Sequence, residues 1–367
     1  MNSSPLLRIE NLRTFFYSQR KHAFVRAVDG VTLDVGRSET VGLVGESGSG
    51  KSITAMSVMG LLRGGPGVIG GRIEFESAHG RQNLLEKLQA FVEVHEQNGR
   101  VMSVSKDEKG WRKASERIMR NYRGKEISMI FQNPRTSLNP YMTVGGQIAE
   151  SIRLHTANRS ESEARERALY WLERVKIDSP KLRYKTYPAV MSGGMCQRAM
   201  IAMALSAEPS MLIADEPTTG LDATIQSKIV DLLEELKSET HISTLLISHD
   251  ISVISRLSDR VAIMYGGAVV EFGPARQVLD PHEEARHPYT AALIDSVPSQ
   301  QKIRDKSNLQ AIEGDVLDTI NVPAGCRFYD RCNRVKDGIR ERCATQHPPL
   351  QEISSGHHMR CWLFAKG

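Results

Sequence analysis

The chain has 367 residues, 40% of them hydrophobic and 25% charged, with a formal net charge of +5. That is globular composition, with length for two or three domains. No apolar run approaches the roughly 18–20 residues that a membrane-spanning helix needs. A charge this small would suit an anionic partner or a membrane surface but is more often plain surface balance, and no nucleic-acid partner is expected.

The start, "MNSSPLLRIE", shows neither a basic n-region nor a long apolar h-region, so the expectation is a chain that stays in the cytosol. Next, "LLRIENLRTFFY" and "RAVDGVTLDV" read as short strands broken by polar turns. "ETVGLVG" reads as a buried strand, "SITAMSVMGLL" as a helix and "GRIEFES" as another strand. Residues 77–125 differ. "LLEKLQAFVEVHEQ" predicts an amphipathic helix, with Leu84, Leu85, Leu88, Phe91 and Val92 near one face. "KDEKGWRKASERIMRNYRGK" then carries eight basic and three acidic residues, the pattern of a solvated helical insertion, with a basic contact surface for lipid or a partner as the alternative. "EISMIFQNP" returns to strand, and residues 141–175 read as helices, with Ser160 and Glu163 forming a capping box. "SMLIADEP", "ISTLLISHD" and "DRVAIMYGGAVVEFG" are strands again, separated by helices such as "IQSKIVDLLEELKSE". Strands alternating with helices predict an α/β fold with a mostly parallel core sheet.

Between the first buried strand and its helix lies "GESGSGKS", residues Gly45, Glu46, Ser47, Gly48, Ser49, Gly50, Lys51 and Ser52. It matches the phosphate-binding pattern G-x-x-x-x-G-K-[ST]. Glycines let successive backbone N–H groups turn inward around phosphate oxygens, and the helix aims its positive end at the same anion. Lys51 adds charge near the β- and γ-phosphates, and the Ser52 hydroxyl is a Mg²⁺ ligand. "MLIADEP" delivers two carboxylates to a strand end, Asp215 for Mg²⁺ and Glu216 to polarise an attacking water.

"MSGGMCQ", Met191 to Gln197, resembles the "LSGGQ" signature of ATP-binding-cassette proteins, and Ser192, Gly193 and Gly194 form a second N–H nest at a helix start. A second nest wants a second nucleotide. The family's arrangement is a head-to-tail pair of cassettes, each ATP lying between the loop of one and the signature of the other. Other positions match in order. Gln132 in "IFQNP" falls at the Q-loop, touching Mg²⁺ or the attacking water; Asp222 belongs to the D-loop; His249 in "LLISHD" is the switch histidine at the γ-phosphate. Phe16 falls where the family stacks an aromatic on adenine, with Phe15 and Tyr17 as alternatives. "IFQNPRTSLNPYMTVGGQI", "LIADEPTTGLDATIQ", "HPYTAALIDSVP" and "PAGCRFYDRC" narrow the resemblance to the oligopeptide/dipeptide/nickel permease branch. Departures are Met191 for leucine, Met195 for glutamine, Gly220 for alanine and Cys196 for arginine, the last threatening a contact near the signature.

The resemblance implies a P-loop cassette over 1–274. It has an N-terminal antiparallel β-subdomain, the insertion at about 77–125 and a helical subdomain at about 133–190. A cysteine-rich extension follows over 275–367. It further implies ATP hydrolysis powering import of peptides, with nickel, an opine or another solute as alternatives. The implied partners are a second, unlike cassette, two integral membrane permease subunits and an extracytoplasmic solute-binding protein. The implied place is the cytoplasmic face of the inner membrane, as a peripheral subunit. A soluble cassette protein of repair or translation shares the ATP chemistry, but such chains carry two cassettes or a long coiled coil. A P-loop kinase or GTPase would lack the signature.

Five cysteines are present, Cys196 alone and Cys326, Cys332, Cys343 and Cys361 near the end. Under reducing conditions the cluster points to metal before disulfides. The four are separated by five, ten and seventeen residues, without the tight pairs of a zinc ribbon. Looser spacing can hold a [4Fe–4S] cluster, which the family tail also implies; zinc and free thiols are the alternatives.

Overall fold

The computed structural model describes residues 4–78, 80–97, 100–156, 159–296 and 312–365. Val297 and Pro298, which end the "HPYTAALIDSVP" run, lie outside them. The chain divides into two compact units: residues 1–35, 41–116 and 248–367 in one, 36–40 and 117–247 in the other.

The first unit begins with β1 (Leu7–Ser18), β2 (Ala23–Val35) and β3 (Thr40–Val44). Every residue of β3 is buried, as in a strand covered on both faces. The glycine loop leads from β3 into α1 (Lys51–Met59). β4 (Pro66–Ser77) and β5 (Gly80–Asn83) complete an antiparallel sheet of order β2-β1-β4-β5. This is the β-subdomain the sequence predicts.

The insertion departs from expectation. Only Glu86–Phe91 forms a short 3₁₀ turn; β6 (Val92–Gln97) then pairs antiparallel with β7 (Arg100–Lys106). The physical reason is a change of period. In β6, Val92 and Val94 are half-buried while Glu93 and His95 are exposed, an alternation of two that a helix cannot present. The Asn98–Gly99 dipeptide between these runs was the overlooked hairpin signal. The basic run does form a helix, α2 (Glu108–Met119), with the Asp107 carboxylate accepting the Gly110 N–H at 3.0 Å. Lys106 lies 3.8 Å from the centre of the Trp111 ring and donates to the Val68 carbonyl at 3.2 Å. Burial pulls its ammonium down to about 8.

The second unit contains β8 (Ile127–Ile130), α3 (Pro134–Ser137), α4 (Val144–His155), α5 (Glu161–Arg174) and α6 (Pro180–Tyr184). After these come α7 (Gly193–Leu205), β9 (Met211–Asp215), α8 (Ala223–Thr240) and β10 (Ser243–Ile247). The capping box forms as read: the Ser160 hydroxyl accepts the Glu163 N–H, and the Glu163 carboxylate accepts the Ser160 N–H. β8, β9 and β10 run parallel, Met211 facing both Ile127 and Ser243, and all three are fully buried. Functional groups therefore collect at their carboxyl ends.

The chain returns to the first unit through α9 (Ile251–Leu257), β11 (Arg260–Tyr265) and β12 (Ala268–Pro274). β11 lies parallel to β3 and antiparallel to β12. The extension follows with α10 (Ala275–Val278), α11 (Pro288–Asp295), α12 (Arg340–Thr345), β13 (Gln351–Ser354) and β14 (His357–Met359). β14 pairs with β12, continuing the order β13-β14-β12-β11-β3, so the described residues of the extension pack within the same unit as the strand before the glycine loop.

Candidate active site

The glycine loop is built by close approach. Gly50, the N-cap of α1, has φ 103°, and a β-carbon there would lie 2.1 Å from the Ala27 carbonyl oxygen. Gly48 has φ 79° and faces open space, leaving its backbone accessible. Lys51 is 6% exposed, and its Nζ donates to the carbonyls of Gly45 at 2.8 Å and Glu46 at 3.0 Å. Ser49 Oγ is buried with no hydrogen-bond partner among the described residues. A glycine-opened backbone at a helix start with a buried ammonium beside it suits a polyphosphate.

Of the three aromatics on β1, Phe15 is fully buried, with Arg13 and Arg26 over its ring at 5.3 and 5.8 Å. That removes it as an adenine platform. Phe16 is half-buried and Tyr17 is 47% exposed, its ring edge-on to Phe24 at 5.3 Å. His249 is exposed, one residue before Asp250, whose carboxylate caps α9 by accepting the Ser252 N–H at 2.8 Å.

In the second unit, Gln132 leaves the end of β8 exposed, while Asp215 and Glu216 leave β9 only 3% and 9% exposed. Glu216 sits at φ 51°, left-handed backbone that costs a non-glycine residue about 1–2 kcal/mol. Its N–H donates to the Ile247 carbonyl at 2.9 Å, and the Thr219 hydroxyl donates to its carboxylate. The carboxylate is thus held in place from both its backbone and its side chain.

The signature turn opens α7. Ser192 caps the helix, its hydroxyl accepting the Met195 N–H at 3.3 Å, while the side chain stays exposed. A β-carbon at Gly194 would lie 2.7 Å from Ile225, so the turn packs closely on α8. Cys196, placed by sequence where its branch carries arginine, is fully buried with its thiol toward the Pro188 carbonyl. It therefore faces the core rather than the turn's outer surface. Asp222 caps α8, its carboxylate accepting the Ile225 N–H at 2.9 Å, a role the motif reading did not foresee.

Cys326, Cys332, Cys343 and Cys361 are free thiols lining one cavity with Phe328, Val335 and Trp362. The space between them is about 20 Å³, room for one water, so anything larger must part them. Among the described residues no group of three or more His, Cys, Asp or Glu is arranged to hold a metal ion. The expected metal centre is thus not preformed: the four donors converge, but not around one point. Burial raises every thiol, Cys326 to about 11 and Cys361 to about 12.

Sequence reasoning missed the residues that tie the extension to the loop. Arg331 donates to both carboxylate oxygens of Glu46, at 2.8 and 3.1 Å, and the Tyr289 hydroxyl accepts the Glu46 N–H at 2.9 Å. Arg327 donates to Asp29 at 2.8 Å, and His357 meets Glu271 at 2.8 Å, both in buried surroundings. The only signal was that each arginine lies beside a cysteine, Arg327 after Cys326 and Arg331 before Cys332.

Residues 28–219 match the family described as ABC transporter, and residues 270–338 match the oligopeptide/dipeptide transporter, C-terminal region. The chain is 42% identical over 363 residues to the oligopeptide transport ATP-binding protein AppD of Bacillus subtilis (strain 168), covering 98% of this chain and 97% of the relative. It is 37% identical over 356 residues to the dipeptide transport ATP-binding protein DppD of Escherichia coli (strain K12), covering 97% and 96%. Among solved structures, the dimeric MJ0796, a bacterial ABC transporter cassette, superposes with a TM-score of 0.56 at 23% identity, covering 74% of this chain and 99% of that one. At that identity the likeness speaks for the fold alone.

Proposed function

Because the chain belongs to the ATP-binding subunits of the ABC transporter family, in the branch with the oligopeptide/dipeptide C-terminal region, we propose that it hydrolyses ATP to drive peptide import through a membrane complex. The observation that carries the reading is the glycine loop between β3 and α1 in a chain 42% identical, over 98% of its length, to an oligopeptide transport ATP-binding protein. No helix among the described residues is long and apolar enough to cross a membrane. Two permease subunits, an extracytoplasmic binding protein and a second cassette complete the assembly, and this chain sits peripherally at the cytoplasmic face.

In this reading residues 45–52 wrap the triphosphate, Lys51 neutralises its outer phosphates, and Phe16 stacks on adenine. Ser52, Gln132 and Asp215 would hold Mg²⁺, which when bound would offset charge on the phosphate oxygens. Glu216 takes the proton of the attacking water as its oxygen bonds to the γ-phosphorus and the bond to ADP breaks. Gln132 and His249 orient that water and the γ-phosphate. Ser192, Gly193, Gly194 and Asp222 serve the nucleotide held mainly by the second cassette, so closure over both nucleotides precedes turnover.

The test uses the assembled transporter in vesicles. Glu216→Gln should retain ATP and lose more than about 100-fold of turnover, the scale of a missing general base, and peptide uptake should stop with it. Wild-type turnover in that variant would rule Glu216 out as the base. ATP-driven uptake of nickel, without peptide, would reassign the cargo.

The four tail cysteines are our proposed ligands for a [4Fe–4S] cluster. Support comes from the convergence of four thiols on one apolar-walled cavity, a donor set suited to iron–sulfur chemistry. Bound, the cluster would cross-link a segment with little core of its own. Protein purified without oxygen should carry about four irons per chain, read by metal analysis and absorption near 400 nm. Cys326→Ser should lose most of it; unchanged iron would remove Cys326 from the ligand set.

A further inference from the structure

Glu46 is the one carboxylate in a loop otherwise suited to anions, and three groups hold it. Its side chain takes both prongs of the Arg331 guanidinium, its N–H goes to the Tyr289 hydroxyl, and its carbonyl accepts from Lys51 Nζ at 3.0 Å. Arg331 is itself fixed. Its side chain is 5% exposed; Nε donates to the Glu313 carbonyl at 2.9 Å, Nη2 to the Ile312 carbonyl at 3.3 Å and Nη1 to the Tyr265 hydroxyl at 3.4 Å. Tyr265, Tyr289 and Phe328 pack ring against ring at 4.7 to 5.4 Å, and the Arg331 guanidinium lies within 6 Å of two of those rings, at 5.7 Å from Tyr265 and 5.9 Å from Phe328. All of these groups belong to the first unit.

A carboxylate left loose in a triphosphate-binding loop would repel the ligand and offer its own oxygens to the loop's N–H groups and to Lys51. A planar, bidentate guanidinium removes both liabilities by neutralising the charge and fixing its direction. We propose that Arg331, supplied by the C-terminal extension, is a positioning residue for ATP binding that holds the Glu46 carboxylate away from the triphosphate, with Tyr289 fixing the loop backbone at the same residue. The cassette's affinity for ATP then depends on the extension being docked. The proposal rests on residues 45–52 being the triphosphate loop.

The experiment is calorimetric titration of ATP into the full-length chain. Arg331→Ala should weaken binding about tenfold or more, the scale of a lost charge-assisted hydrogen-bond pair. Adding Glu46→Gln to that variant should restore most of the affinity, because the unpaired charge is gone. A purely packing role for Arg331 would leave the double variant as weak as the single one, and that result, or wild-type affinity in Arg331→Ala, overturns the proposal. Should Arg331→Ala fail to fold, Arg331→Gln keeps the side-chain bulk and takes the same rescue. Lys51→Ala separates the premise: it should abolish binding, and wild-type binding there would show that the loop is not the triphosphate site.

Discussion

At Gly50 the glycine loop meets the rest of its unit with no room to spare. The residue combines φ 103° with a β-carbon position 2.1 Å from the Ala27 carbonyl oxygen and 2.7 Å from the Met264 methyl. A methionine end can swing aside; a strand carbonyl cannot without breaking its ladder. Gly50→Ala should therefore destabilise the chain by about 1–3 kcal/mol and displace the start of α1, visible as a lower urea midpoint together with lost ATP binding. Unchanged values for both would mean that the loop has slack that this geometry denies. The motif showed that Gly50 mattered, but not that Ala27 was the reason, since that contact joins residues far apart in sequence. The proposed adenine platform was legible only to within three residues. Thr14 and Phe15 are buried in succession because the β1–β2 register shifts there, and a two-residue period cannot tell which neighbour turns outward at such a bulge.

Elements were legible where one period ruled them. β3, β9 and β10 are short, wholly apolar or small-residue runs ending in a glycine, carboxylate or serine turn, and all three appear as read. The start of α5 was fixed by the Ser160 and Glu163 pair, whose reciprocal bonds form locally and need no tertiary help. Residues 84–97 misled because Leu84, Leu85 and Leu88 do share a buried face, but only through one 3₁₀ turn, after which the period changes to two. A fourteen-residue window averages across that change. The hairpin brings Lys106 to the end of β7, where loss of water favours its neutral form although the Trp111 face and the Val68 carbonyl both receive its ammonium. Such packing lies beyond any local pattern.

At the scale of the whole molecule, the least legible feature was the attachment of the extension. Spacing suggested a cysteine-stapled appendix; the structure instead pairs β14 with β12 and plants Arg327, Arg331 and His357 on Asp29, Glu46 and Glu271. These are single long-range contacts, each invisible in sequence. They make a pH dependence predictable. His287 is 1% exposed, and burial holds its imidazolium down to about 3; burial, with Arg327 and Arg360 nearby, holds His347 down to about 4. Both values lie below the ordinary 6.5, so the unfolded extension binds these protons first. Their contribution to stability is complete above pH 6.5 and is lost as pH falls toward 4, by up to about 1.4 kcal/mol per pH unit for each group. Between pH 6.5 and 5, above most carboxylate titrations, the melting temperature should fall and cleavage within the extension should rise. The double variant His287→Asn/His347→Asn should flatten both slopes, and equal slopes would place the acid sensitivity elsewhere. Because Arg331 reaches Glu46 only from a docked extension, ATP affinity should decline over the same interval in the wild type and hold steadier in the double variant.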